Sequence, residues 1–115
     1  MRISNALCFD DVLIKPQYSE IVSRKEIDTT TDLGPGLSLK IPVISSPMDT
    51  VTEVEMAVKM SEAGGLGVIH RYNTPDSQAL LVEKCVSRLA TVGFAVGVGD
   101  DMLTRPIVTG KQQES

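Results

Sequence analysis

The feature that most constrains the fold is the stretch 41–70, IPVISSPMDTVTEVEMAVKMSEAGGLGVIH, which reads as one strand, one helix and a second strand. Val43, Ile44, Ser45 and Ser46 form a short extended run that Pro47 closes, because proline cannot continue a ladder and holds its predecessor extended. Thr50 and Glu53 stand in capping-box spacing, which predicts that a helix begins there. Val54, Ala57, Val58 and Ser61 then share one face, widened by Met56, Met60 and Ala63. That reading makes both methionines core residues, and Gly64 and Gly65 supply the stop. Residues 66–69 are apolar again. Two buried strands joined by a capped helix form a βαβ unit, whose strands must be parallel and whose crossover is expected to be right-handed.

The pattern repeats downstream. Thr74 is a good N-cap, Pro75 suits the first helical position and Asp76 favours the positive end of the helix dipole. The helix is expected to run through Ala79, Leu80, Val82, Glu83, Val86 and Leu89. A third buried strand follows over 91–98, TVGFAVGV. Asp100, Asp101, Met102 and Leu103 open a further helix that Pro106 interrupts. Upstream, residues 1–40 show little helical periodicity: 12–14, 26–30 and 37–40 read as small extended pieces, and Leu33-Gly34-Pro35-Gly36 as a turn. The chain thus divides into an arm at 1–40, βα units at 41–105 and a polar tail at 106–115. An alternating βα pattern needs a closed barrel or an open sheet covered on both faces. A (β/α)8 barrel takes roughly 250 residues, so 115 residues supply well under half of one. Three strands with a long arm make a poor doubly wound sheet, and the physical reading is an incomplete α/β domain.

Charge and composition exclude several functions. A formal net charge of −4 leaves no basic stripe for a nucleic-acid partner. No apolar run approaches the roughly 20 residues that span a bilayer, and no secretory leader is visible. No membrane partner is expected, and the location is expected to be cytoplasmic. Cys8 and Cys85 are far apart and lack metal-ligand spacing, so a reduced pair is expected. His70 is the only histidine, which argues against a zinc site or a histidine triad and makes a hydrogen-bonded structural role the expectation. Gly93, Gly97 and Gly99 lack the G-x-G-x-x-G order and read as close-packing positions. Asp10 and Asp11 read as arm anchors rather than paired carboxylates. On chemistry alone Ser46 ends a strand, Asp49 caps a helix, and Ser23 and Arg24 are solvated.

Three blocks carry a family resemblance: LCFDDVLIKP at 7–16, IPVISSPMDTVTE at 41–53 and GGLGVIHRYN at 64–73. In this order they resemble the N-terminal part of the IMP dehydrogenase and GMP reductase family, with Cys8 where threonine is usual. The resemblance implies the N-terminal portion of a (β/α)8 barrel preceded by an irregular, β-containing arm. It also implies a purine nucleotide (IMP or GMP) as substrate, NAD or NADP as cofactor, a monovalent cation in the complete enzyme, and a homo-oligomer, usually a tetramer. Dehydrogenases convert IMP and NAD to XMP and NADH; reductases convert GMP and NADPH to IMP and ammonia. In the family a cysteine on a later loop attacks C2 of the purine. Neither Cys8 nor Cys85 matches its motif, so no catalytic and no metal-ligating residue is assigned here, and the chain alone is expected to be inactive. The segment 103–110, LTRPIVTG, echoes residues beyond that cysteine, but Met102 precedes it and the spacing is off. Carried over residue by residue, Ser46 and Met48 match positions that contact the nucleotide. Ser23 and Arg24, in SRKEID, match a reductase segment that reaches the cofactor of a neighbouring subunit, and Arg71 matches a basic cofactor-contacting position. SSPMDTVTE favours the dehydrogenase, SRKEID and HRY the reductase, and the dehydrogenase is preferred. The second helix runs directly on to the third strand, leaving no room for the regulatory paired CBS module. The rival expectation is a non-catalytic fragment that associates with the rest of a barrel or with itself, because an open parallel sheet leaves edges and an apolar face uncovered.

Overall fold

In the computed structural model, which describes residues 1–113, the stretch 41–70 supplies one edge strand and the central strand of a three-stranded parallel sheet. An antiparallel hairpin of β1 (Thr31–Gly34) and β2 (Leu37–Leu39) precedes it. The chain then runs through β3 (Ile44–Ser45), α1 (Val54–Ala63), β4 (Leu66–Ile69), α2 (Pro75–Ser87), β5 (Val92–Phe94) and α3 (Asp100–Gln113). The sheet order is β3-β4-β5, with Ile44 opposite Leu66, Gly67 opposite Val92 and Ile69 opposite Phe94. Each strand lies beside its successor, and all three end on one edge.

Close approach sets the helix–sheet packing. A Cβ on Gly67 would stand 2.5 Å from the Ala57 Cα, so β4 and α1 meet nearly backbone to backbone. One apolar cluster of Ala57, Ile69, Val82 and Cys85, flanked by Val54, Leu81, Val92 and Phe94, joins both helices to the same face of the sheet. Among the described residues no helix packs against the opposite face, where Val68 lies alternate to Ile69.

α1 ends as its glycines predict, with Gly64 in the left-handed region at φ 91°. Its start differs. Glu53 is the N-cap residue but makes no side-chain cap, and Thr50 lies in a turn. The expected capping box is replaced by tertiary bonds: Thr52 is buried and donates to the Ser46 carbonyl at 2.6 Å, while Glu53 reaches His70 at 2.9 Å. The loop folds back onto the strand it leaves, so better partners than the local amides stand within reach. Met56 is exposed on the outer flank and Met60 half-buried, so the core assignment of Met56 is corrected; the small Ala57 takes the contact with the sheet. Ser61 joins the packing by accepting the Thr91 amide at 2.9 Å.

α2 begins as expected. Thr74 accepts the Ser77 amide at 3.2 Å and Pro75 occupies the first turn. It ends sooner, at Ser87, with Leu89 left-handed at φ 59° and exposed. Reaching β5 requires an abrupt reversal there, and the Ala90 amide closes it onto the Cys85 carbonyl at 3.1 Å.

α3 corrects the sequence reading more substantially. The helix expected to break at Pro106 runs through it to Gln113, so residues 106–113 of the expected tail are helical, and residues 114 and 115 fall outside the described part. Proline removes one backbone bond, but α3 is held by a tertiary anchor: Arg105 is buried, and the buried Thr109 hydroxyl donates to its carbonyl at 2.9 Å.

The arm is irregular, as expected, with different detail. Residues 12–14 form no strand, and the piece expected at 26–30 is replaced by a 3-10 turn at Arg24–Glu26 followed by β1. Extended chain becomes strand only beside a partner, and residues 1–22 are exposed throughout. The hairpin attaches through the Lys40 and Ile41 amides, which donate to the Gly64 carbonyl at 2.9 and 3.1 Å. That fixes it at the N-terminal end of β4, away from the edge where the strands finish.

Candidate functional site

Parallel register gathers three loops on one edge: the turns after β3, β4 and β5. The first is rigid in its backbone. The Ser46 carbonyl accepts from the Met48 amide at 2.8 Å as well as from Thr52, and the Met48 carbonyl accepts from Val51 and Thr52 at 3.0 and 2.9 Å. Ser46 and Met48 themselves are exposed.

The second loop is tied to the first by His70, 3% exposed. Its Nε2 lies 2.9 Å from Glu53 Oε1 and its Nδ1 accepts the Tyr72 amide at 3.2 Å. A neutral ring carrying its hydrogen on Nε2 satisfies both partners. His70 is thus hydrogen-bonded through both ring nitrogens, as expected. Arg71 and Tyr72, the next residues, are exposed.

A buried polar network joins the second loop to the third. Gln78, fully buried on α2, donates through Nε2 to the His70 and Ala95 carbonyls, both at 2.9 Å. Its Oε1 accepts from Arg105 Nη1 at 3.3 Å. Arg105 also donates to the Asn73 carbonyl at 2.8 Å, the Arg71 carbonyl at 3.2 Å and Asp101 Oδ1 at 2.6 Å. Asp101 Oδ2 accepts the Gly97 amide at 2.6 Å. That amide, with the Arg105 guanidinium, holds the Asp101 carboxyl below the usual carboxylate range.

The structure therefore brings Ser46, Met48 and Arg71 to one edge. It does not bring Ser23 and Arg24 there: Ser23 accepts the Lys25 amide at 3.3 Å and caps the Arg24–Glu26 turn within the arm. A cleft of about 640 Å3 lies instead between the start of α1 and the flank of α2, lined by Asp49, Glu53, Met56, Leu81 and Lys84. Sequence reasoning missed Gln78, Asp101 and Arg105. A signal existed for each: Gln78 sits on the stripe it shares with Val82 and Cys85, where an amide must find buried partners, and Asp101 and Arg105 stand at i,i+4. Chemically, the edge offers an exposed guanidinium, whose planar fork suits phosphate, beside fixed loops and the exposed Ser46 and Met48. No described helix is long and apolar enough to cross a membrane.

Comparison with known proteins carries this further. Residues 6–108 match the IMP dehydrogenase / GMP reductase domain. The chain is 51% identical over 79 residues to inosine-5'-monophosphate dehydrogenase of Nitrosopumilus maritimus, an alignment covering 69% of this chain and 17% of that protein. It is 40% identical over 114 residues to the Cryptosporidium parvum enzyme of the same name, covering 99% of this chain and 28% of that one. It is also 43% identical over 82 residues to GMP reductase of Leishmania donovani, covering 71% and 17%. The aligned part therefore spans between 17% and 28% of the length of these relatives. With its match over 6–108 and its incomplete α/β architecture, the chain belongs to the IMP dehydrogenase / GMP reductase domain family.

Proposed function

We propose that these residues form the arm and first βα units of a (β/α)8 barrel that oxidises IMP with NAD. The observation that carries this reading is the sequential parallel order β3-β4-β5, with Ser46, Met48 and Arg71 on the shared C-terminal edge, because barrel active sites are assembled on that edge. Ser46 and Met48 contact the purine nucleotide and Arg71 a cofactor phosphate. Ser23 and Arg24 reach the cofactor of a neighbouring subunit, a role consistent with an arm that stands clear of its own sheet. The nicotinamide cofactor, when bound, accepts the hydride; this chain binds and orients. Its cysteines do not suit the nucleophile's task. Cys85 is fully buried, and burial pushes its thiol up; Cys8 lies in the arm at the opposite end of the chain from the β5 loop.

Reduction of GMP with NADPH is the second reading, favoured by Arg71 within HRY and by SRKEID. A non-catalytic associating role is the third, supported by the sheet face that no described helix covers. One titration series separates them. IMP and NAD, or GMP and NADPH, are added to the isotope-labelled chain of verified mass, with absorbance at the reduced-nicotinamide band followed in parallel. The expected result is shifts at Ser46 and Met48 with IMP, none in the β1–β2 hairpin, and no turnover. Shifts confined to GMP and NADPH select the reductase; no shift with either pair, together with self-association in light scattering, selects the third. Turnover by this chain alone refutes the binding-only role.

A further inference from the structure

The Gly97 backbone lies between two oppositely charged side chains. A Cβ built there would stand 3.0 Å from Arg71 Nη1 and 3.0 Å from Asp101 Oδ2. Asp101 is held from two sides, by the Gly97 amide at 2.6 Å and by Arg105 Nε at 2.6 Å. Arg105 in turn holds the loop that carries Arg71, through the Arg71 and Asn73 carbonyls. Nothing about the i,i+4 pair Asp101–Arg105 requires that closure. A surface pair of that spacing contributes little by itself, whereas this one has its arginine buried and its carboxylate turned onto another loop. The arrangement holds the Arg71 backbone through Arg105 and sets its guanidinium facing the Asp101 carboxylate across Gly97, attracted to it without direct contact. A long, exposed side chain is thereby restrained before a ligand arrives, which lowers the entropy cost of binding.

We propose that Asp101 is a positioning residue for Arg71, holding the guanidinium over Gly97 so that its free edge meets a phosphate at the rim. This rests on the reading of Arg71 as a phosphate-contacting residue, and it adds a residue the sequence did not single out. Gly97 is part of the device, because any side chain there would separate the pair.

Two forces predict opposite outcomes for Asp101→Asn. Removing a negative charge beside Arg71 strengthens phosphate binding if charge alone matters. Losing the restraint weakens it by roughly threefold, in keeping with a solvent-screened attraction between groups not in direct contact. The experiment titrates NAD and, separately, NADPH into the full chain and its variants, following the Arg71 Nε–H resonance and its exchange with water. The expected result is a shifted, faster-exchanging Arg71 resonance in Asp101→Asn, weaker binding of the cofactor that the parent chain takes, and an unchanged β4 amide spectrum. Asp101→Glu should partly restore both signals. If Asp101→Asn fails to fold, Gly97→Ala, which wedges a methyl between the pair and leaves the Asp101–Arg105 bond, should produce the same Arg71 shift. An Arg71 resonance unmoved by these variants overturns the proposal, as does tighter binding by Asp101→Asn. If the parent chain binds neither NAD nor NADPH, the cofactor role of Arg71 falls, and the resonance in the free protein still decides whether Asp101 positions it.

Discussion

Gly67 shows how much of the packing turns on single residues. Its missing side chain lets β4 approach α1 until a methyl group would overlap both the Cα and the Cβ of Ala57, at 2.5 and 2.8 Å. Neither neighbour can yield without moving backbone, so Gly67→Ala should cost about 2–3 kcal/mol, read as a lower urea midpoint. A variant as stable as the parent would show that the helix and strand stand further apart. The two cysteines give a second test. Cys85 is fully inside the cluster under α2 and Cys8 is exposed in the arm. A thiol reagent should modify Cys8 at once in the folded protein and Cys85 only as the chain unfolds; equal rates would contradict the packing of α2 on the sheet.

Among the elements, α1 and α3 differ most from what local rules predict, and for related reasons. Thr50 and Glu53 have the spacing of a capping box, yet Glu53 binds His70 and the neighbouring Thr52 binds Ser46. The helix start is set by the strands around it. Pro106 should likewise end α3, and the helix passes it because Arg105 is anchored in the loop after β4. Pro106→Ala should therefore stabilise α3 by about 2–3 kcal/mol, since interior proline costs that much where the backbone is otherwise helical. Far-UV circular dichroism with urea titration measures it, and an unchanged transition would mean that the second half of α3 is not helical in solution. α2 is the contrasting case: Thr74, Pro75 and Asp76 are all where local rules put them, and the Thr74 hydroxyl finds its partners, the Ser77 amide and hydroxyl, within its own first turn.

At the scale of the whole molecule, the radius of gyration is 18.3 Å, against about 13 Å for a compact domain of this length. Residues 1–22 are exposed along their whole length, with large apolar side chains such as Phe9, Leu13 and Ile14. Limited trypsin digestion of this chain should cut first after Arg2, Arg24 and Lys25, all exposed, leaving the parallel unit intact; early cuts at Lys59 or Lys84 would show instead that α1 and α2 open first. The sequence by itself determined the alternation of strands and helices, the stop at Gly64 and the start at Thr74, although the strands expected at 43–46 and 91–98 shorten to Ile44–Ser45 and Val92–Phe94. Each rests on chemistry within a few residues: a proline, a left-handed glycine, a hydroxyl beside free amides. It also marked Ser46, Met48 and Arg71, through motifs whose order follows the chain. Only the tertiary structure decided that these three share one edge while Ser23 and Arg24 stand apart, that Glu53 serves His70 rather than its own helix, and that Gln78, Asp101 and Arg105 lock the loops together. Those outcomes depend on groups 17 to 34 residues apart. Partners at that separation become neighbours only when parallel strands bring their ends to the same side, and no local pattern encodes which distant carbonyl a buried amide or guanidinium will find.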